Sequence, residues 1–459
     1  MHAKELVADV FTSGNSPQKH SHAGVSRSIL ARTIIHKEPI EGGIALETTK
    51  DQGASNRWLV FVVTLLGCMC IFMSLYKVTG TMSFIKSEWG LNVTSAGMLM
   101  SSPAMATLIV SLPAGSLIRK FGPRKMFLFA LINGMVFNAA GAFAGDFNML
   151  AITRFLEGIS TAFALIAPPV IYTQIFPAEK RGLPMSIWSC AMVLGTWVIL
   201  NAENLITPVF GWHANWWAVV IFYAIAFVLN FFFLKLPKHD SGSGSNQGKA
   251  QQKTKGGWGQ CLKNPALICL CIILFAVSFG LKVYTAYYPT YLQSVFGLTS
   301  AVANSVSTVH TYEGVIIGLT FGFVMNKVAN KNHPKLLLFA CVCAMIGFSL
   351  MWEMPNVVLG VVAIIIGCLG SKCANPLCRN LVPNAVSAAA LVPIGMSCLS
   401  FCSGASGILA PMISGAVVDA TGSWAAVAVV TGVTGLIAVI AGIVVIKTMP
   451  KSKFPETEN

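Results

Sequence analysis

Several ionisable side chains stand inside long apolar runs of this 459-residue sequence, among them Lys77, Arg154, Glu157, Lys282, His310, Glu313 and Lys372, with Glu203 late in the fifth run. A lysine at the centre of a bilayer costs roughly 2.5–3.5 kcal/mol on insertion scales, so each such group needs a partner, a ligand or a route to the interface. The residue types suggest two kinds of chemistry. Ammonium and guanidinium groups complement an anion, and Arg154 can grip a carboxylate through both prongs of its fork. Carboxylates and imidazole can take up and release protons. Lys77, Arg154, Lys282 and Lys372, with the neighbouring Tyr76 and Tyr284, are the candidate anion-binding set. Glu157, Glu313 and His310 are the candidate proton-coupling set. Arg154 and Glu157 stand at i, i+3, as do His310 and Glu313, so each pair shares a helix face. The plainer alternatives are that the lysines snorkel to the interface and that Arg154 and Glu157 form a structural ion pair.

Lys77 and Lys282 are each followed seventeen residues later by Thr-Ser-Ala, at Thr94, Ser95 and Ala96 and at Thr299, Ser300 and Ala301. Such a repeat predicts two related halves with the pair of lysines at matching positions. At 1.5 Å rise per residue, Lys77 lies about 28 Å and Lys282 about 25 Å along their helices, toward the outer half of a membrane.

The elements that must position these groups are membrane helices. The chain is 55% hydrophobic and 10% charged, against roughly 25% charged in soluble chains. Twelve runs of about twenty or more apolar residues follow one another from about 58–84 to 424–446, among them 184–206 and 298–325, and each is long enough to span a bilayer. The expected fold is therefore an all-α membrane protein with twelve transmembrane helices in two pseudo-symmetric six-helix bundles. The formal charge of +14 resides in short clusters between runs rather than on one basic face, which argues against nucleic acid. Basic residues alternate from loop to loop, with Arg119, Lys120, Arg124 and Lys125 after the second run and Lys327, Lys331 and Lys335 after the eighth. By the positive-inside rule both termini face the cytoplasm, and the protein belongs in the cytoplasmic membrane.

The domain plan is a polar cytoplasmic tail over 1–56, six helices over 57–234, a basic linker rich in Gly, Ser, Gln and Lys over 235–263, six helices over 264–450 and a tail over 451–459. The thirteen cysteines lie mostly in apolar runs and read as small buried hydrophobes, without zinc-type spacing. No nucleotide loop or nucleophile constellation is present, so neither a cofactor nor enzymatic chemistry is expected.

Gly115 to Lys125 reads GSLIRKFGPRK, RFLEG spans Arg154 to Gly158, and GAVVDATGSW spans Gly415 to Trp424. On these residues the chain resembles the major facilitator superfamily from about Arg57 to Pro450. Gly115, Lys120, Gly122 and Arg124 match the family's conformational loop motif, although Arg119 stands at its acidic position and Asn326 at that of the second copy. The segment FPAEKRGLPMSIW, Phe176 to Trp188, is similar to prokaryotic anion-porter branches, the cyanate- or nitrate-permease-like and anion:cation symporter-like members. The antiporter signature expected in the fifth helix is missing, which leans toward symport or uniport.

The resemblance implies a monomeric secondary transporter that moves a small organic or inorganic anion by alternating access between its halves, with protons as the coupling ion. The alternatives are an exporter or exchanger of hydrophobic compounds and a non-transporting sensor of the same fold.

Overall fold

The computed structural model describes residues 45–91, 93–236, 257–386 and 388–449. Residues 1–44 of the expected tail over 1–56, residues 237–256 of the expected linker over 235–263, and the final tail over 451–459 lie outside the described residues. The rest is helical, as an apolar environment demands: without water to serve the backbone, each segment must satisfy its own N–H and C=O groups. Twelve spans cross the apolar layer: Asn56–Met82, Gly97–Phe121, Pro123–Ala142, Phe147–Ile175, Ala178–Phe210, His213–Phe233, Pro265–Phe296, Ser305–Lys327, Asn330–Leu350, Val357–Ala385, Ala389–Thr421 and Trp424–Thr448. They are numbered 1 to 12 below.

Local sequence sets the helix ends. Asp146 accepts from the Met149 N–H at 2.8 Å to start span 4, and Asn356 accepts from Leu359 at 2.9 Å to start span 10. Asn264 caps span 7 ahead of Pro265, which suits the first helical position because it has no N–H to leave unsatisfied. Gly122, at φ 88°, makes the turn between spans 2 and 3, a backbone region that disfavours other residues.

Three boundaries differ from the sequence expectation. The first helix already begins at Ala45 and runs to Trp89. Span 5 breaks at Cys190, between helices Gly182–Ser189 and Ala191–Phe210. The stretch 298–325 breaks at Thr308, between helices Ser300–Ser307 and Val309–Lys327. Apolarity runs through the Cys190 joint, so hydropathy has no signal there, whereas the Thr308 joint lies in a polar stretch that includes Ser305, Ser307 and Thr311. At each joint an i to i−3 backbone bond tightens the turn, Cys190 N–H to Ile187 and Thr308 N–H to Ser305.

Spans 2 and 3 pack on span 4, and span 3 on span 6; in the second half, span 9 packs on spans 10 and 12, and span 7 on spans 11 and 12. Across the halves, span 2 meets span 11 and span 5 meets span 8. The hydrogen bonds recorded between the halves gather toward the end of the bundle that carries the basic loops. Ser397 Oγ donates to the Ser111 carbonyl at 2.6 Å and Leu183 N–H donates to Asn326 Oδ1 at 3.2 Å, and at the same end Trp258, late in the expected linker, donates through Nε1 to Ser116 Oγ at 3.0 Å. Gly115 lets span 2 lie against Pro393 and Ser397 of span 11, and Gly322 admits Leu183 against span 8. Large apolar side chains such as Leu205, Phe210, Phe232 and Ile440 point outward, as a lipid-facing surface requires.

Candidate functional site

The charged side chains fall into two groups. In the first half, Lys77 of span 1 is fully buried, and its Nζ meets both oxygens of Glu157 at 2.7 and 2.8 Å. It also donates to Asn138 Oδ1 of span 3 and lies over the Trp216 ring of span 6, 4.6 Å from the centroid. Arg154, one turn from Glu157 on span 4, donates to the same carboxylate at 2.5 Å and to the carbonyls of Ser74 and Leu75 at 2.7 Å each. Ser74 Oγ adds a bond to Glu157 at 3.0 Å. One carboxylate thus serves two cations at the centre of spans 1, 3, 4 and 6, closed from solvent. Glu203 of span 5 is buried nearby, set against Gly80 of span 1, and its oxygens lack a hydrogen-bond partner among the described residues.

In the second half, Lys282 of span 7 is exposed and approaches Gly407 of span 11. Lys372 of span 10 lies across Gly314 of span 8, where an added Cβ would stand 3.0 Å from its Cε. The two lysines are close enough for their charges to interact. Glu313 precedes Gly314, within electrostatic range of Lys372, and both its oxygens lack a hydrogen-bond partner among the described residues. His310, one turn earlier, bonds through Nδ1 to the Ser307 carbonyl at 2.8 Å and meets the Tyr284 ring edge-on at 5.4 Å. The ion pairs among the described residues are Lys77–Glu157 and Arg154–Glu157, so neither Lys282 nor Lys372 is neutralised by direct contact.

The expected equivalence of Lys77 and Lys282 therefore does not extend to their environments. Lys77 turns into its own six-helix half and is saturated there; Lys282 turns to an open face. Snorkelling does not describe Lys77, whose ammonium ends on Glu157. Of the tyrosines, Tyr76 is half-buried and its OH donates to Met192 Sδ at 3.5 Å, while Tyr284 is buried with its OH donating to the Ser307 carbonyl at 2.6 Å. Both hydroxyl protons are thus engaged within the protein.

The four residues of the loop motif differ in their contacts. Gly115 sits in the contact between the halves, Gly122 forms the turn, Arg124 donates to the Phe231 carbonyl at 2.9 Å and Lys120 is exposed. At the acidic position of the second copy, Asn326 contributes a neutral amide oxygen to the first turn of span 5. A partial charge at a helix start does in weaker form what a carboxylate would do there. No group of three or more metal-binding side chains occurs among the described residues.

Arg379, on span 10, was not among the expected site residues. It is the only arginine after Arg181; the apolar run expected there ends at 377, and it is the continuation of the helix to Ala385 that brings Arg379 into span 10. Asn138 and Trp216, which meet Lys77, carried no charge to mark them in the sequence.

These spans and their packing define an all-α, multi-pass membrane protein. The chain belongs to the Major Facilitator Superfamily, whose model matches residues 64–392; it is a secondary transporter and not an enzyme. It is similar to the "Probable L-galactonate transporter" of Escherichia coli (strain K12), 22% identical over 79% of this chain and 83% of that protein. It is similar also to the hexuronate transporter of Bacillus subtilis (strain 168), 24% identical over 76% of this chain and 85% of that one. Multidrug resistance protein 2 of Bacillus subtilis (strain 168) is 24% identical over 61% of this chain and 70% of that protein. The solved proton:xylose symporter XylE has the same fold, with a TM-score of 0.68 at 14% identity over 87% of this chain and 97% of that chain. The human organic anion transporter MFSD10 superposes with a TM-score of 0.64 at 12% identity over 85% of this chain and 99% of that chain.

Proposed function

We propose that this protein moves a small organic anion of the sugar-acid class across the cytoplasmic membrane, together with protons. The observation that carries the reading is the pair Lys282 and Lys372, two cations on facing helices with no carboxylate in ion-pair contact. A surplus of positive charge inside a membrane protein marks the place of a negative ligand. The relatives named as a probable L-galactonate transporter and a hexuronate transporter support a polyhydroxylated carboxylate. A hydrophobic drug of the kind an exporter carries would leave both ammonium groups without a counter-charge.

In this reading Lys282 receives the carboxylate, and Lys372 joins it once Glu313 is protonated. A proton on Glu313 removes the negative charge that competes for Lys372, so anion and proton bind together and are released together. His310, one turn from Glu313, is the proton's neighbour on the same face. The buried Lys77–Arg154–Glu157 cluster holds the first half together and gives span 1 a rigid seat against span 4. Contacts between the halves lie toward the basic loops, which by the charge rule face the cytoplasm, so this state opens outward.

The test is uptake into proteoliposomes of radiolabelled galactonate, glucarate and glucuronate, with and without an inward pH gradient. Accumulation that needs the gradient and is lost in Lys282→Ala supports the reading. Gradient-independent flux, or full uptake by Lys282→Ala, overturns it.

A further inference from the structure

Arg379 lies 2% exposed in span 10 and has no carboxylate partner among the described residues. Its acceptors are neutral: Asn375 Oδ1 takes a bond from Nε at 3.0 Å, and the Leu165 carbonyl and Ser400 Oγ take bonds from Nη1 at 2.8 and 3.3 Å. The guanidinium also lies over the Trp188 ring, 5.0 Å from its centroid. Its partners divide between the halves. Asn375 and Ser400 belong to its own half on spans 10 and 11, whereas Leu165 and Trp188 belong to the other half on spans 4 and 5.

A buried guanidinium without a counter-ion is poorly compensated, and it holds its place only while its carbonyl, amide and aromatic contacts all persist. Half of those contacts exist only when the two halves meet at the basic-loop end. Separation there removes the Leu165 carbonyl and the Trp188 face together, leaving an arginine half satisfied by its own half and newly open to water. The closed arrangement is thus supported by a charge-assisted hydrogen bond and a desolvated cation–π contact that the open arrangement lacks.

We propose that Arg379 is the positioning residue that latches the basic-loop gate: it sets the balance between the two states by bonding across the halves only when this gate is shut. The proposal rests on the alternating-access reading but not on the choice of substrate. It predicts a division of roles around one side chain. Changes that remove cross-half contacts shift the conformational balance; changes to same-half contacts do not.

The test uses the full-length protein in lipid nanodiscs, with nitroxides carried by p-acetylphenylalanine at the exposed positions Lys120 and Lys327, one in each half. Pulsed electron paramagnetic resonance reads the distance between them. Arg379→Gln and Trp188→Leu are each expected to raise the long-distance population roughly tenfold, as the loss of one charge-assisted bond or one buried cation–π contact implies. Arg379→Lys, which keeps the charge without the fork, is expected to fall between them and the unaltered protein. Ser400→Ala is expected to leave the distribution unchanged. Thermal unfolding, measured in parallel, separates the latch from ordinary packing, because a packing defect lowers the unfolding temperature without changing the ratio of the two distances. Unchanged distributions in both Arg379→Gln and Trp188→Leu, or an equal shift in Ser400→Ala, would overturn the latch. A single distance in the unaltered protein and in every variant, at neutral and at acidic pH and with each sugar acid added, would overturn the latch and the alternating-access reading together, whereas two distances whose ratio no variant changes would overturn the latch alone.

Discussion

Replacing Glu157 by glutamine should be among the most damaging single changes in the first half. The substitution keeps size and one acceptor oxygen but removes the negative charge that Lys77 meets at 2.7 and 2.8 Å and Arg154 at 2.5 Å. Breaking a buried ion pair by deleting one partner costs about 3–5 kcal/mol, because the other charge is left uncompensated. Here two cations lose their shared counter-ion and then repel each other. The Ser74 and Leu75 carbonyls, Asn138 and the Trp216 face still solvate them, so the two penalties overlap and the expected loss is about 5 kcal/mol in total. Thermal unfolding followed by size-exclusion chromatography in detergent reads the effect. The decisive measurement is a double-mutant cycle with Lys77→Met. Removing both partners of the Lys77 pair leaves Arg154 alone with its two carbonyls, so the double variant should be more stable than Glu157→Gln, with a coupling of at least about 2 kcal/mol. A Glu157→Gln protein as stable as the parent, or a coupling below about 0.5 kcal/mol, would refute the account of the cluster as a mutually neutralised strut.

Three further outcomes follow from the same geometry. Lys282→Ala and Lys372→Ala should each lower sugar-acid uptake at least tenfold while leaving the unfolding temperature within a degree or two, since neither lysine is in an ion pair; radiotracer uptake beside thermal unfolding checks both halves of that statement. Glu313→Gln mimics the protonated acid, so anion exchange between the two faces should persist while accumulation against a pH gradient is lost; retained gradient-driven accumulation would count against Glu313 as the coupling site. Gly80→Ala places a Cβ where the Glu203 carboxylate lies and should cost about 1–3 kcal/mol through overpacking, and Gly80→Ala combined with Glu203→Ala should recover most of it.

The twelve crossings were legible in the sequence because the bilayer imposes a fixed length of apolar residues on each span, and that requirement is local. The pairing of Arg154 with Glu157 was legible too, since i, i+3 spacing places two side chains on one helix face wherever the helix goes. The direction in which a side chain points was not. These spans are apolar on nearly every side, so periodicity does not separate the face toward lipid from the face toward a neighbouring helix. Lys77 and Lys282 occupy matching places in the two halves, yet Glu157 and Asn138 meet only the first of them, and it was the packing of spans 3, 4 and 6 against span 1 that decided this. The break at Cys190 has a related cause, because a single tightened turn in an apolar run leaves no mark on hydropathy; the break at Thr308 falls among Ser305, Ser307 and Thr311, where polar residues alone do not say whether a helix bends or continues. Arg379 stood out by type alone, as the last arginine in the chain. Its contacts with Leu165, 214 positions earlier, and with Trp188 of the other half exist only because two six-helix bundles close on one another, a juxtaposition that no local pattern encodes.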